Sequence, residues 1–279
     1  MELPPRQSLF WIASYPKSGN TWLRIFLANY LLGGDTPLSI NKVGMLGLAD
    51  GDARHYERAN EGPYDLADPT QTVSLRTKFL RQANHSGPKV ALVKTHCFNS
   101  TINGTPLIPP QLSRGAVYVI RHPGDVAVSF ASHYGLTLDE AIARMAEPRA
   151  VVGGSDGTAL QFTSDWSSHV QSWAAGSTLK THVVRYEDMH ADPETAFGKV
   201  LIHLGLRVDP QKMTRAIEHA SFKELQSQEA AEGFIENTPH QPRFFRSGKS
   251  GGWRDKLSNS QMKRLYQVHG PVMAQFGYS

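Results

Sequence analysis

Short apolar runs alternate along this chain with segments of helical spacing. Residues 9–14 (LFWIAS) are apolar without alternation, the pattern of a strand covered on both faces. The same reading predicts strands over 89–95 (KVALVKT), 116–120 (AVYVI) and 181–185 (THVVR). Helices are predicted between them. Residues 21–32 are apolar on more than one side and stop at Gly33-Gly34. A helix from Pro123 to about Tyr134 has Gly135 at its end. Residues 166–174 form a helix before the fourth strand, and Trp166, His169 and Trp173 share one face of it, which reads as core. Residues 195–204 close at Gly205, and 260–276 form a last helix that Gly270-Pro271 is expected to interrupt. Strand and helix alternating in this order predict an α/β fold with a central parallel sheet flanked by helices. Segments 35–87 and 225–245 follow neither period, and no internal repeat is visible.

Composition narrows the classes. Of 279 residues, 40% are hydrophobic, and 29 basic against 25 acidic residues leave a net charge of +4. Disorder needs lower hydrophobicity and higher net charge. The lone Cys97 excludes an internal disulfide framework and a multi-thiolate zinc site. No run of five basic residues marks a nucleic-acid or membrane patch. The apolar stretch 25–32 is far below the roughly 20 residues of a membrane span. Residues 1–7 lack the basic-then-apolar pattern of a secretion signal. A soluble, cytoplasmic, single-domain protein over 1–279 is expected. A modest positive surplus suits an anionic ligand held in one place.

Three separated stretches carry candidate chemistry. The first, Tyr15-Pro16-Lys17-Ser18-Gly19-Asn20-Thr21-Trp22, joins the first strand to the first helix. Backbone N–H groups converge at a helix N-terminus, where the dipole also favours anions. Gly19 permits close approach, Lys17 adds a point charge, and Ser18, Asn20 and Thr21 add donors. The spacing is not G-x-x-x-x-G-K-[ST]. The second stretch places Arg121 at a strand end and Ser129 eight residues on, where a guanidinium fork and a hydroxyl can share one phosphate. The plain alternative is Arg121 paired with Asp125. The third, 243–256, holds five basic residues against one acid in a glycine-rich loop, suited to a phosphate nest. Lys94-Thr95-His96 closes the second strand, and a histidine there points into the ligand crevice of an α/β sheet.

These residues resemble the sulfotransferases that use 3′-phosphoadenosine 5′-phosphosulfate (PAPS). The loop at 15–22 is similar to their 5′-phosphosulfate element Y-P-K-[SA]-G-[TN]-T-W, and eight consecutive positions fit. R-x-x-x-D-x-x-x-S fits at Arg121 and Ser129, which the resemblance makes the 3′-phosphate ligands. The late element F-x-R-K-G-x-x-G-D-W fits at Arg246, Gly248, Gly251 and Trp253, but Ser247 replaces the usual Lys and Gly252 the usual Asp. Ser247 would then serve through its backbone N–H, with Lys249 as compensation. Lys94-Thr95-His96 resembles the family's K-T-H, whose His is the catalytic base. Trp22, Tyr186 in Y-E-D-M and Phe222 in S-F-x-x-L resemble the residues that enclose the adenine.

The resemblance implies a P-loop-like three-layer α/β fold and transfer of a sulfuryl group from PAPS to a hydroxyl or amine of a small molecule or natural product. It implies no metal, and His96 as base, with Lys17 and Lys94 balancing charge on the leaving phosphate and the sulfuryl oxygens. Segments 35–87 and 144–163 would wall the acceptor side. Nucleic acid is not expected as a partner. Some relatives form dimers, so the oligomeric state stays open. A nucleotide-dependent kinase would need a Walker Lys-Ser/Thr and a magnesium carboxylate, and neither signal is present. A non-catalytic module holding the desulfated nucleotide PAP would tolerate loss of His96.

Overall fold

The computed structural model of the chain describes residues 8–86, 90–155, 157–175, 178–246 and 248–278. Lys89, the first residue of the predicted second strand, and Ser247 of the predicted site therefore lie outside the described residues. Among the described residues, five strands form the main sheet: β1 (Leu9–Ser14), β2 (Gly47–Ala49), β3 (Ala91–Thr95), β4 (Ser113–Ile120) and β5 (Thr181–Arg185). Their spatial order is β2-β3-β1-β4-β5. The helices are α1 (Asn20–Leu32), α2 (Ala53–Asn60), α3 (Pro69–Ser86), α4 (Pro123–Tyr134), α5 (Leu138–Met145) and α6 (Trp166–Ala174). They continue with α7 (Tyr186–Ala191), α8 (Pro193–His203), α9 (Pro210–His219), α10 (Phe222–Glu232) and α11 (Asn259–Gln275).

β1 runs parallel to β3 from Leu9↔Ala91 to Ala13↔Thr95, and β2 runs parallel to β3 at the sheet edge. All six residues of β1 are buried, as its unbroken apolar run requires. β3 alternates: Ala91, Val93 and Thr95 are buried while Leu92 and Lys94 are half-buried. His96 continues the more open face, because residues two apart on a strand point the same way. This is the α/β architecture that the alternating pattern predicts.

The chain divides into two compact units. The first takes in 8–15, 47–118 and 147–183, and so most of the sheet with α2, α3 and α6. Trp11, Tyr56, Tyr118, Trp166 and Trp173 are buried in it. The second takes in 16–46, 119–146 and 184–278, with α1, α4, α5 and α7 to α11. Its centre includes Phe26 stacked on Phe197 at 3.9 Å between ring centroids.

Three expectations change. Within segment 35–87, the described residues form a 3₁₀ turn at Ile40–Leu46, the edge strand β2, α2 and α3. Residues 225–232 belong to α10. α11 is continuous through Gly270-Pro271. Proline removes one backbone donor, but His269, Val272 and Met273 are buried on either side of it and hold the helix together. No helix among the described residues is long and apolar enough to cross a membrane.

Candidate active site

The second unit carries the donor loop. α1 begins at Asn20 with Gly19 as N-cap at φ 105°. A Cβ there would lie 2.5 Å from Tyr186 Cδ2, so the glycine is required by close packing as well as by conformation. Lys17 also has a positive φ, 68°, uncommon for a residue with a side chain. Local strain of this kind marks a backbone shaped for something other than stability. The Lys17 Nζ lies 3.2 Å from His133 Nδ1 on α4 and 4.0 Å from the Phe244 ring centroid. His133 Nδ1 is also 3.0 Å from Gln241 Oε1. One ring nitrogen can accept from Lys17 or donate to Gln241, but not both.

Arg121 draws three predicted elements together. Its guanidinium carbon sits 4.0 Å from the centre of the Tyr186 ring. Nη1 donates to the Lys17 carbonyl at 3.3 Å and Nη2 to the Lys249 carbonyl at 3.2 Å. A planar guanidinium can stack and donate at once, which an ammonium cannot. Asp125 is not its ion-pair partner. The Asp125 carboxylate accepts instead from the backbone N–H of Gly251 at 2.6 Å and of Trp253 at 2.9 Å. It therefore holds the late glycine-rich loop. His122 caps α4, accepting from Gly124 N–H at Nδ1, and stacks on Trp253 at 4.8 Å. Burial pushes its pKa down to about 4, so it is neutral at pH 7.

Trp22 packs against Tyr186, His190 and Phe197, and its indole N–H donates to the Ala220 carbonyl at 2.8 Å. Phe222 meets Gly248 so closely that a Cβ on the glycine would sit 2.3 Å from the ring. Arg246 is exposed and its carbonyl accepts from Gln226. Ser129 is half-buried on α4. Thr21 donates to Glu236 at 2.8 Å, and Glu236 also pairs with Arg24 at 2.8 Å. The second unit thus brings together Lys17, Gly19, Arg121 and Tyr186, and separately Phe222 with Gly248.

The first unit holds Lys94 and His96. His96 Nδ1 is 2.9 Å from the Ser14 carbonyl, the last residue of β1. A carbonyl only accepts, so Nδ1 carries a proton, and whenever the ring is neutral its lone pair is on Nε2. The backbone around it is also held. His96 N–H donates to Gln161 Oε1 at 2.8 Å, and the His96 carbonyl accepts from His169 Nε2 at 3.0 Å.

An anionic group fits this donor set. Ser18 Oγ and Arg121 Nε are buried without a hydrogen-bond partner among the described residues. Such orphan donors cost about 1–3 kcal/mol each unless something accepts from them. The start of α1, the Lys17 ammonium and the Arg121 guanidinium supply the positive field an anion needs.

The pattern of sequence already pointed to Lys17, Gly19, Arg121 and Tyr186. His133, Glu236 and Gln161 escape that pattern, while Asp125 and His169 stand out in it without these partners. A polar residue on an otherwise aromatic helix face, as at His169, signals a buried polar partner. His133, Glu236 and Gln161 carry no local signal.

A family model described as a sulfotransferase domain matches residues 7–277. Sulfotransferase 1A1 of Canis lupus familiaris is 26% identical over 292 residues, covering 96% of this chain and 84% of its own. The crystal structure of mouse sulfotransferase SULT7A1 complexed with PAP has a TM-score of 0.63 at 21% identity, covering 96% of this chain and 85% of that one. Retinol dehydratase in a complex with retinol and PAP has a TM-score of 0.62 at 20% identity, covering 98% of this chain and 82% of that one. The structural likenesses concern the fold.

Proposed function

This chain belongs to the sulfotransferase family, and from that membership we propose that it transfers a sulfuryl group from PAPS to a hydroxyl or amine of a small molecule or natural product, with His96 as general base. It acts as one catalytic domain, since the family match runs through both compact units. Lys17, Ser18, Gly19, Asn20, Thr21 and Trp22 take the 5′-phosphosulfate end. Arg121 and Ser129 take the 3′-phosphate. Tyr186, Phe222 and Trp22 enclose the adenine, and Arg246, Ser247 and Gly248 are further ligands of the nucleotide. His96 receives the acceptor proton at Nε2 as the acceptor oxygen or nitrogen bonds to sulfur. The bond from sulfur to the phosphate oxygen breaks, and Lys17 balances the charge growing on that oxygen. Lys94, on the same strand face as His96, steadies the sulfuryl oxygens. The transfer asks for positioning and charge stabilisation more than for covalent help, as in phosphoryl transfer.

The observation that carries this reading is Arg121. It binds the Lys17 and Lys249 carbonyls and stacks on Tyr186, so one guanidinium ties the residues matching three family elements. An apolar alcohol, the class bound in retinol dehydratase, heads the acceptor classes to screen. Thermal unfolding with PAP, with ATP and with ATP plus magnesium tests the donor, and a labelled-PAPS acceptor panel tests the transfer. PAP should stabilise most, without added metal. Stabilisation by ATP with magnesium and none by PAP would refute the reading.

A further inference from the structure

We infer that Gln161, anchored by the buried Asp50–Arg76 pair, is a positioning residue for His96. The inference rests on the general-base reading of His96 and extends it.

The His96 backbone is gripped from both sides. On its N–H side stands Gln161, which is 3% exposed and whose Nε2 donates to Asp50 Oδ1 at 2.7 Å. The amide orientation is therefore settled by chemistry: one end must donate to a carboxylate, the other must accept from His96 N–H. Asp50 pairs through its second oxygen with Arg76 at 2.5 Å, and both residues are about 1% exposed. Arg76 Nε is tied to the Leu107 carbonyl at 2.9 Å, and Tyr56 donates to the Asp50 carbonyl at 2.7 Å. On the carbonyl side, His169 Nε2–H donates to His96, and His169 Nδ1 accepts from Tyr118 at 2.9 Å.

A fully buried ion pair is weak as a source of stability, because desolvation offsets most of the attraction. What it supplies here is a rigid anchor on α3 for the amide that fixes where β3 ends. That end decides whether the His96 ring reaches the Ser14 carbonyl and presents Nε2. A base displaced by about 1 Å loses on the order of a hundredfold in rate. Among the described residues, the charged and titratable groups around Gln161 and Asp50 include Arg76, Tyr56, Cys97, His55, Lys94, His96 and His169.

The test compares the full-length protein with its Gln161→Glu, Gln161→Leu and His96→Ala variants. Gln161→Glu keeps the shape, but its second oxygen can bond Asp50 only when protonated. Nitrogen-15 spectra of labelled histidines should show a single Nδ1–H tautomer at His96 in the parent protein. In Gln161→Glu that tautomer should become mixed as pH rises, and acidification should restore it. Turnover of labelled PAPS should fall about tenfold or more in Gln161→Glu at neutral pH and in Gln161→Leu, while PAP affinity stays within about threefold. If Gln161→Leu does not fold, the reversible behaviour of Gln161→Glu still decides. An unchanged His96 tautomer and unchanged turnover in Gln161→Glu, with His96→Ala inactive, would overturn this inference and leave the base reading standing. Full activity in His96→Ala would overturn both.

Discussion

A single methyl group at Gly19 would strike the donor loop where its backbone has least freedom. The residue sits at φ 105°, outside the range comfortable for any L side chain. An alanine there costs about 1–2 kcal/mol in conformation alone. Its Cβ would also lie 2.5 Å from Tyr186 Cδ2 and 3.1 Å from Cε2. Tyr186 has little room to retreat, since it is buried and carries Arg121 against its face at 4.0 Å. Overpacking of that kind costs about 1–3 kcal/mol. Gly19→Ala should therefore lose roughly 2–5 kcal/mol, divided between folding and nucleotide binding. The melting temperature of the free protein and the PAP dissociation constant, measured on the same sample, divide it. A loss of 2 kcal/mol taken wholly in binding weakens PAP about thirtyfold. Taken wholly in folding, it lowers the melting temperature by about 3 °C. Combining it with Tyr186→Leu should remove the clash and leave the conformational part. A Gly19→Ala protein with unchanged melting temperature and unchanged PAP affinity would mean that neither the backbone conformation nor the Tyr186 contact restricts this position.

Arg121→Ala should weaken PAP far more than the same nucleotide lacking its 3′-phosphate; equal losses in a competition titration would contradict the 3′-phosphate role. Asp125→Ala leaves the Gly251 and Trp253 amides without their acceptor. Each such bond to a charged group is worth about 1.5–3 kcal/mol, so the late loop should exchange its amide hydrogens faster, and unchanged protection there would count against Asp125 as its anchor. Burial pushes both His122 and His169 down to about 4. Their stabilising contribution is full above the unfolded value near 6.5 and is lost as pH falls toward 4. At pH 5 the loss is about 2 kcal/mol for each, and a melting temperature that is flat from pH 7.5 to pH 5 would refute it.

Legibility followed distance along the chain. The loop from Tyr15 to Trp22 could be read because strand, glycine, lysine and helix start lie within eight residues. The burial of Trp166, His169 and Trp173 followed from their spacing. Segment 35–87 hid its structure for identifiable reasons. β2 is three residues long and only partly buried, and α3 places the polar Arg76 and Asn84 on its inner side. Both blur the apolar stripe that would otherwise announce an element. Local spacing offers Asp125 to Arg121 one turn away, yet its partners lie 126 and 128 residues away. Gln161 meets Asp50 across 111 residues and His96 across 65. No local pattern encodes such pairings. They exist because a buried polar group must find a partner wherever the fold supplies one.

We assign donor binding to the loops around Lys17 and Arg121 and proton removal to His96. Measuring PAP affinity and PAPS turnover together in His96→Ala tests that assignment most directly. PAP should bind nearly as in the parent protein while transfer falls about a hundredfold or more. Parent-level transfer, or loss of PAP binding in step with transfer, would contradict the account.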